Sequence, residues 1–335
     1  MSGGVDSTYS ALKLIREGHE VEGCVLVMHE YTDVDAAKRG AQELGIPLRV
    51  VDCRGDFDRA VKPYFVNEYL KARTPNPCIV CNPEVKFKQL CRIAREEGFD
   101  AVATGHYARV INKGGHYAVA VAADASKDQS YMLARLPEDV LSMLVLPLAD
   151  EIKTDVRADA SKSALSSSAS RDSQEICFLP DNDYPTFIES VSGKSPHGSF
   201  IDAEGRILGE HNGIIRYTVG QRKGLGIALG ARAFVTEISP ENNTVRLSLT
   251  PALTDTVLLS DTVYSGTDVP TPNAEIRVSV KLRYKAPRVN ATARIGENGR
   301  LILALDEPAL SVTPGQAAVL YDGDTVIACG FIDKG

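Results

Sequence analysis

No run of uncharged apolar residues in the 335-residue chain is long enough to cross a bilayer, and residues 1–10 carry neither the basic start nor the apolar stretch of a secretory signal. These absences argue against a membrane-spanning helix and against export by that route, and they point to a soluble, cytoplasmic protein. Positive charge is scarce too: 37 Lys and Arg against 44 Asp and Glu leave a formal net charge of −7. That balance disfavours nonspecific nucleic-acid binding, so an RNA partner must be held by local basic patches on an acidic body. The seven cysteines form an odd count without framework spacing, which excludes a disulfide scaffold and leaves free thiols, redox chemistry or metal ligation. Cys24, Cys53, Cys91 and Cys329 lie within or beside apolar stretches and read as small buried hydrophobes. There is no internal repeat.

The length predicts two or three domains. Helical periodicity at 8–17, 34–44, 58–70 and 83–97 alternates with apolar, β-branched stretches at 20–28, 48–53 and 100–103, and Gly18, Gly45 and Gly98 stand where helices should stop. This is βαβ rhythm, predicting an α/β, Rossmann-like domain with a parallel sheet covered by helices. Residues 161–173 contain seven serines and read as a mobile loop. From about residue 199 short strands separated by turn signals take over, and those from about 256 to 332 suggest a small β-barrel. The predicted division is 1–190 for the α/β domain, 191–253 for a mainly-β central domain and 254–335 for a C-terminal β-barrel.

Ser2, Gly3, Gly4, Val5, Asp6 and Ser7 immediately precede the first helical stretch. Two glycines let backbone N–H groups approach phosphate oxygens, Ser2 and Ser7 can donate hydroxyls, and a helix start adds positive potential. The Gly-Lys-Ser/Thr ending of a Walker A loop is missing. SGGVDS instead resembles the pyrophosphate loop of the ATP pyrophosphatase group, whose members cleave ATP between the α and β phosphates and adenylate a substrate. That resemblance implies that Asp6 helps to hold Mg²⁺ and the pyrophosphate leaving group. In that fold the loop follows a first β-strand, whereas this sequence opens at Met1 inside the loop. The expectation is therefore a sheet short of one central strand, a poorly positioned or frayed loop, and a true start upstream.

The segment 74–82 reads TPNPCIVCN. Pro75 and Pro77 stiffen the chain and present Cys78 and Cys81 on a rigid loop. A helix starting near Pro83 is predicted to bring its positive end to Cys81 and favour the thiolate. A zinc half-site needs a second Cys or His pair at ligand spacing, and none follows. Cys177 lies 96 residues beyond Cys81, flanked by Ile176 and Phe178; by itself it reads equally as a buried structural thiol.

Together with ATGHYA at 103–108, SKDQSY at 126–131, RYTVGQRKGLGI at 216–227 and TPGQAAVLYDGD at 313–324, these segments make nearly the whole chain similar to the bacterial tRNA-specific 2-thiouridylases. The resemblance implies ATP and Mg²⁺ as cofactors and tRNA as partner, with adenylation of the wobble uridine C2 oxygen in the tRNAs for Lys, Glu and Gln followed by sulfur transfer. It makes Cys81 the nucleophile and Cys177 the persulfide carrier, which can finish disulfide-bonded to Cys81. It places Leu26 and Gly105 near the nucleotide, although Leu26 also reads as core. Cys78 stands where some members carry Asp, and it opens a second route in which Cys78, Cys81 and Cys177 hold a [4Fe–4S] cluster fed by sulfide. The sulfur source is then a donor protein or sulfide.

The alternation at 276–285 places Arg277, Ser279, Lys281, Arg283 and Lys285 on one strand face, and with Arg288 these cations form a strip without an acid. A solvated barrel face is the plainer reading. The resemblance implies tRNA contacts at Asn76, Pro77 and Cys78 near the target base, at Lys127, Asp128 and Gln129, and at Arg283 and Tyr284. The last two can share a ligand only at a strand end or bulge, because a regular strand points them to opposite faces. Arg222 and Lys223 are further candidates. Two other readings stand beside this one: a small-molecule adenylating ligase of the same group, and a non-catalytic tRNA-binding protein.

Overall fold

The computed structural model describes residues 1–170, 176–179, 181–227, 230–266, 271–272, 274–296 and 299–333. Residues 171–173 of the serine-rich stretch and 172–175 of the segment before Cys177 lie outside the described residues.

The first part alternates helix and strand as the periodicity predicts: α1 (Val5–Arg16), β1 (Gly23–Val27), α2 (Val34–Leu44), β2 (Leu48–Asp52) and α3 (Arg54–Leu70). Next come α4 (Pro77–Cys81), a π-helical turn (Asn82–Phe87), α5 (Lys88–Glu97), β3 (Val102–Ala103), β4 (Arg109–Lys113), β5 (His116–Ala120), α6 (Ser130–Leu133), α7 (Glu138–Leu141), β6 (Leu144–Val145), α8 (Lys153–Lys162) and α9 (Tyr184–Ser192). Gly45 and Gly98 end α2 and α5 at φ 67° and 77°, a left-handed cap that costs glycine nothing.

The parallel pairing of this first part comes in two pieces, β1 with β2 and β3 with β6. Among the described residues no strand joins them. The loop before α1 is nevertheless held, contrary to the expectation that it would fray. The Met1 amino group donates to the Cys24 carbonyl. The Val5 N–H donates to Ser170 Oγ at 3.3 Å. Gly3, at φ +77°, approaches α2 so closely that a Cβ there would fall 2.4 Å from Ala36 Cβ. Packing against α2 and the bonds to Ser170 and Cys24 thus supply the anchor that the sequence reading assigned to a strand.

A four-stranded sheet follows, in the order β8 (Ile207–His211), β7 (Gly198–Ile201), β10 (Thr244–Ser248), β9 (Phe234–Ser239). Phe200, Val235, Ile238, Val245 and Leu247 form its core. The last unit comprises β11 (Leu253–Tyr264), β12 (Glu275–Lys281), β13 (Val289–Ile295), β14 (Leu301–Leu310), β15 (Ala317–Asp322) and β16 (Thr325–Ile332). Because β11 pairs with both β14 and β16, the six strands close into a barrel and leave no free edge between them.

β15 explains how the barrel is mounted. Its residues 317–321 are buried on both faces: Ala318 and Leu320 fill the barrel, while Ala317, Val319 and Tyr321 pack with Ile79, Phe87 and Tyr131 of the first unit. The unbroken apolar run in its sequence follows from that double burial. The β4–β5 hairpin also joins the barrel, Ala120 of β5 standing opposite Thr325 of β16.

Candidate active site

The nucleotide side of the site is built from the start of α1. Gly4 is the N-cap, so the first-turn N–H groups of Asp6 and Ser7 precede any intrahelical acceptor and face the loop. Ser7 Oγ accepts from the Ser2 N–H at 3.0 Å and lies 3.1 Å from Ser2 Oγ, which closes the hydroxyls around the glycines. A Cβ on Gly4 would meet only Ser2 Oγ within 4 Å, so one face of the loop is open to a ligand. Gly105 packs on the same turn: a Cβ there would lie 2.6 Å from the Asp6 carbonyl carbon and 2.8 Å from the Ser7 nitrogen. These features fit a triphosphate. The Asp6 carboxylate accepts from Tyr107 Oη at 3.0 Å and from Lys153 Nζ at 2.6 and 2.7 Å, with a third of its side chain exposed. Leu26 is buried in the core beside Cys81.

The cysteine side begins at Asn76, whose Oδ1 caps α4 by accepting from the Cys78 N–H at 3.2 Å, with Pro77 at the first helical position. The helical run therefore starts at Pro77, six residues before the predicted start at Pro83. Pro83 has no N–H for the carbonyl four residues back, and the chain accommodates it in the π turn. Cys81 accordingly sits inside a helical run rather than at its positive end. It is buried beside Met28, Sγ to Sδ 3.8 Å. Burial pushes its thiol up to about 12, the Lys86 ammonium opposing the shift. The predicted lowering of the Cys81 pKa is thus corrected, because removal from water outweighs the helix field at this position.

Cys78 and Cys177 are exposed, and all seven cysteines are free thiols. The protein crowded around these two pushes both thiols up, Cys177 to about 11, with Lys86 again opposing the shift. Cys78 and Cys177 both act electrostatically on Cys81, and Ile176 and Phe178 pack in the cluster that holds Cys81, so the fold brings together thiols 96 residues apart in sequence. Phe178 anchors Cys177: its buried ring meets Phe57, Phe65 and Phe187 edge-on, with centroids 5.3, 5.4 and 5.5 Å away.

Two of the long motifs act on the base of the cysteine loop. Thr74 donates its N–H to the Pro314 carbonyl at 2.8 Å, and its own carbonyl accepts from Gln316 Nε2 at 2.8 Å. Its hydroxyl lies 3.1 Å from Thr218 Oγ1. Elements of all three units meet at this one residue.

The RNA candidates separate. Arg277 is paired with Asp306 at 2.8 and 2.6 Å, and Arg288 stacks over Tyr321 at 3.8 Å, so the basic strip is shorter than its sequence suggests. β12 ends at Lys281, which places Arg283 and Tyr284 in the turn beyond it, Arg283 exposed. Tyr284 packs beside Tyr131 at 5.8 Å and feels the charges of Asp128 and Cys78, so this turn reaches the cysteine loop. Asp128 is turned inward: it is buried and accepts from Ala122 N, Ser130 N and Ser130 Oγ. Gln129 Oε1 accepts from the Tyr107 N–H at 3.0 Å, and Lys127 is half-buried. Arg222 and Lys223 remain exposed.

Sequence reasoning missed Lys153 and Lys86. Nothing local marks Lys153, which meets Asp6 only through the fold. Lys86 lies five residues beyond Cys81, and the π turn that positions it carries Pro83 as its only sequence signal. Among the described residues no three His, Cys, Asp or Glu side chains are grouped to hold a metal ion.

Residues 1–181 match the family model described as tRNA methyl transferase HUP domain, residues 185–248 the tRNA methyl transferase PRC-barrel domain and residues 254–332 the aminomethyltransferase beta-barrel domain. The chain is 41% identical over 351 residues to the tRNA-specific 2-thiouridylase MnmA of Lachnoclostridium phytofermentans, covering 100% of this chain and 98% of that protein. The corresponding protein of Acetivibrio thermocellus is 41% identical over 353 residues, covering 99% and 97%, and that of Carboxydothermus hydrogenoformans 40% over 353 residues, covering 100% and 96%. The model descriptions speak of methyl transfer and the relatives' names of thiolation; the gathered cysteines suit the second.

Proposed function

Because the chain belongs to the tRNA-specific 2-thiouridylase family, we propose that it is a tRNA-uridine 2-sulfurtransferase that consumes ATP to replace the C2 oxygen of the wobble uridine with sulfur, in the tRNAs for Lys, Glu and Gln. The observation that carries the reading is the meeting of Cys81, Cys177 and Cys78 in one neighbourhood. A ligase acting on a small molecule has no use for such a group, and a passive RNA binder needs neither it nor the open glycine loop.

The uridine C2 oxygen attacks the α-phosphorus of ATP, and pyrophosphate leaves. Mg²⁺, when bound, neutralises phosphate charge. The α1 start and the loop N–H groups face the phosphates, and the pairing with Lys153 keeps Asp6 directed at the loop. The terminal sulfur of a Cys177 persulfide then attacks C2, the C2–O bond breaks, and AMP departs with the electron pair. Cys81 attacks Cys177 Sγ, which releases the thiocarbonyl and leaves a Cys81–Cys177 disulfide for an external thiol to reduce. The raised Cys81 pKa means that this attack draws on a small thiolate fraction, which Lys86 enlarges.

RNA is held at the turn carrying Arg283 and Tyr284, at Lys127 and at the Asn76–Cys78 loop, with Arg222 and Lys223 beyond. The sulfur donor is a persulfide-bearing protein or low-molecular-weight persulfide, and the protein works in the cytoplasm; no helix among the described residues is long and apolar enough to cross a membrane. The test is nucleoside mass spectrometry of tRNA incubated with protein, ATP, Mg²⁺ and a persulfide donor. 2-Thiouridine is expected, and it should vanish in Cys81→Ser and Cys177→Ser while tRNA-dependent pyrophosphate release persists. Retained thiolation in either variant would falsify the assigned roles.

A further inference from the structure

Lys86 occupies the second-to-last place in the π turn between α4 and α5, flanked by two buried residues that belong to opposite halves of the site. Val85 packs in the cluster that contains Cys81 and Phe178, the neighbour of Cys177. Phe87 packs in the cluster beneath the barrel, its ring 5.8 Å from His106, the neighbour of Gly105 on the nucleotide loop. The side chain of Lys86 is half-buried, and among the described residues it has no carboxylate partner within ion-pair distance. Its charge is felt by Cys78, Cys81 and Cys177 and also by His106 and the Met1 amino group. Holding an unpaired ammonium half out of water is unfavourable unless an anion completes the site. π turns of this kind often occur at functional sites.

The reaction places an anion there. The atom between a sulfur on Cys177 and a phosphate on the glycine loop is C2 of the activated uridine, whose bond to the adenylyl oxygen must break. We propose that Lys86 is a catalytic residue of the sulfur-transfer step, its ammonium binding the adenylyl phosphate and stabilising the charge that passes from the attacking persulfide to departing AMP. The C2–S bond forms, the C2–O bond breaks, the electron pair goes to the phosphate oxygen, and Lys86 stays protonated throughout. A preorganised cation in a partly water-excluded site suits this role, since it meets charge that grows only in the transition state.

The inference rests on the thiolation reading, and the experiment separates the two. Wild-type protein, Lys86→Met and Lys86→Arg are loaded with persulfide, mixed with ATP, Mg²⁺ and tRNA, and followed in single turnover for pyrophosphate, tRNA-linked AMP and 2-thiouridine, with thermal melting as the check on folding. Lys86→Met is expected to release pyrophosphate within a few-fold of wild type, to accumulate adenylated tRNA, and to form 2-thiouridine about 10²-fold more slowly. Lys86→Arg should recover part of that loss, because it restores the charge with altered shape. Thiolation by Lys86→Met within threefold of wild type overturns the role of Lys86 and leaves the function intact. Equal loss of pyrophosphate release and thiolation in a folded Lys86→Met protein, or no rescue by arginine, also overturns it. Absence of 2-thiouridine with the wild-type protein overturns both readings.

Discussion

Lys153 Nζ lies 2.6 Å from Asp6 Oδ1 and 2.7 Å from Oδ2, so the first residue of α8 holds the acid of the glycine loop from 147 positions away. The lysine side chain is 7% exposed and the aspartate 33%. Removing one partner of a fully buried pair costs about 3–5 kcal/mol, and the partial exposure of Asp6 reduces this to about 2 kcal/mol. Asp6→Asn, which takes the paired carboxylate from the buried ammonium, should lower the melting temperature more than Lys153→Met. Both should raise KM for ATP in a pyrophosphate-release assay. Unchanged melting in Asp6→Asn would show that the pair does not hold the loop.

Gly105 is a second support of the loop. A Cβ at this position would fall 2.6 Å from the Asp6 carbonyl carbon, closer than real Cβ atoms come to backbone. Gly105→Ala should push the first turn of α1 away and cut ATP-dependent pyrophosphate release at least about tenfold, since small misplacements at a reacting centre cost up to roughly 10²-fold. Gly55→Ala, an exposed position in the first turn of α3 where a Cβ would meet only the end of the Arg59 side chain, is the control and should leave it unchanged.

The thiol shifts give a pH prediction. Cys81 and Cys177, raised to about 12 and about 11, remain mostly protonated at neutral pH, and their thiolate fractions grow as pH rises. Alkylation of each by iodoacetamide, followed by peptide mass spectrometry, should accelerate about tenfold per unit from about pH 7 to about pH 9 without levelling. A plateau beginning below about pH 8 would mean that these thiols are depressed rather than raised.

The barrel cations should differ in their effect on tRNA. Arg283 is exposed beyond β12, whereas Arg277 is committed to Asp306. Arg283→Ala should weaken tRNA binding and reduce the slope of log affinity against log salt by about one. Arg277→Ala should change neither by much. Equal effects of the two would return Arg277 to the binding strip.

Much of the fold could be read without coordinates. The 34–44 and 48–52 elements stand where periodicity and the glycine stop placed them, because a helix face or a strand run buries the same residues wherever it packs. The first cysteine helix was misjudged at its start. Pro83 looks like a helix opener, but an Asn76 cap and Pro77 at the first position began the helix earlier and made Pro83 the cause of a π turn.

The sequence by itself determined which chemistry the chain carries: the glycine loop, the thiols of Cys78, Cys81 and Cys177, and the alternation that closes the barrel are properties of residue type and local spacing. Only the tertiary structure decided which of these groups meet and in what electrical state. It joined Asp6 to Lys153, seated Phe178 among aromatic rings so that Cys177 stands near Cys81, tied Thr74 to Gln316 and Thr218, and spent Arg277 on Asp306. It also reversed the expected shift at Cys81, because desolvation depends on everything packed around a thiol and no local pattern reports it.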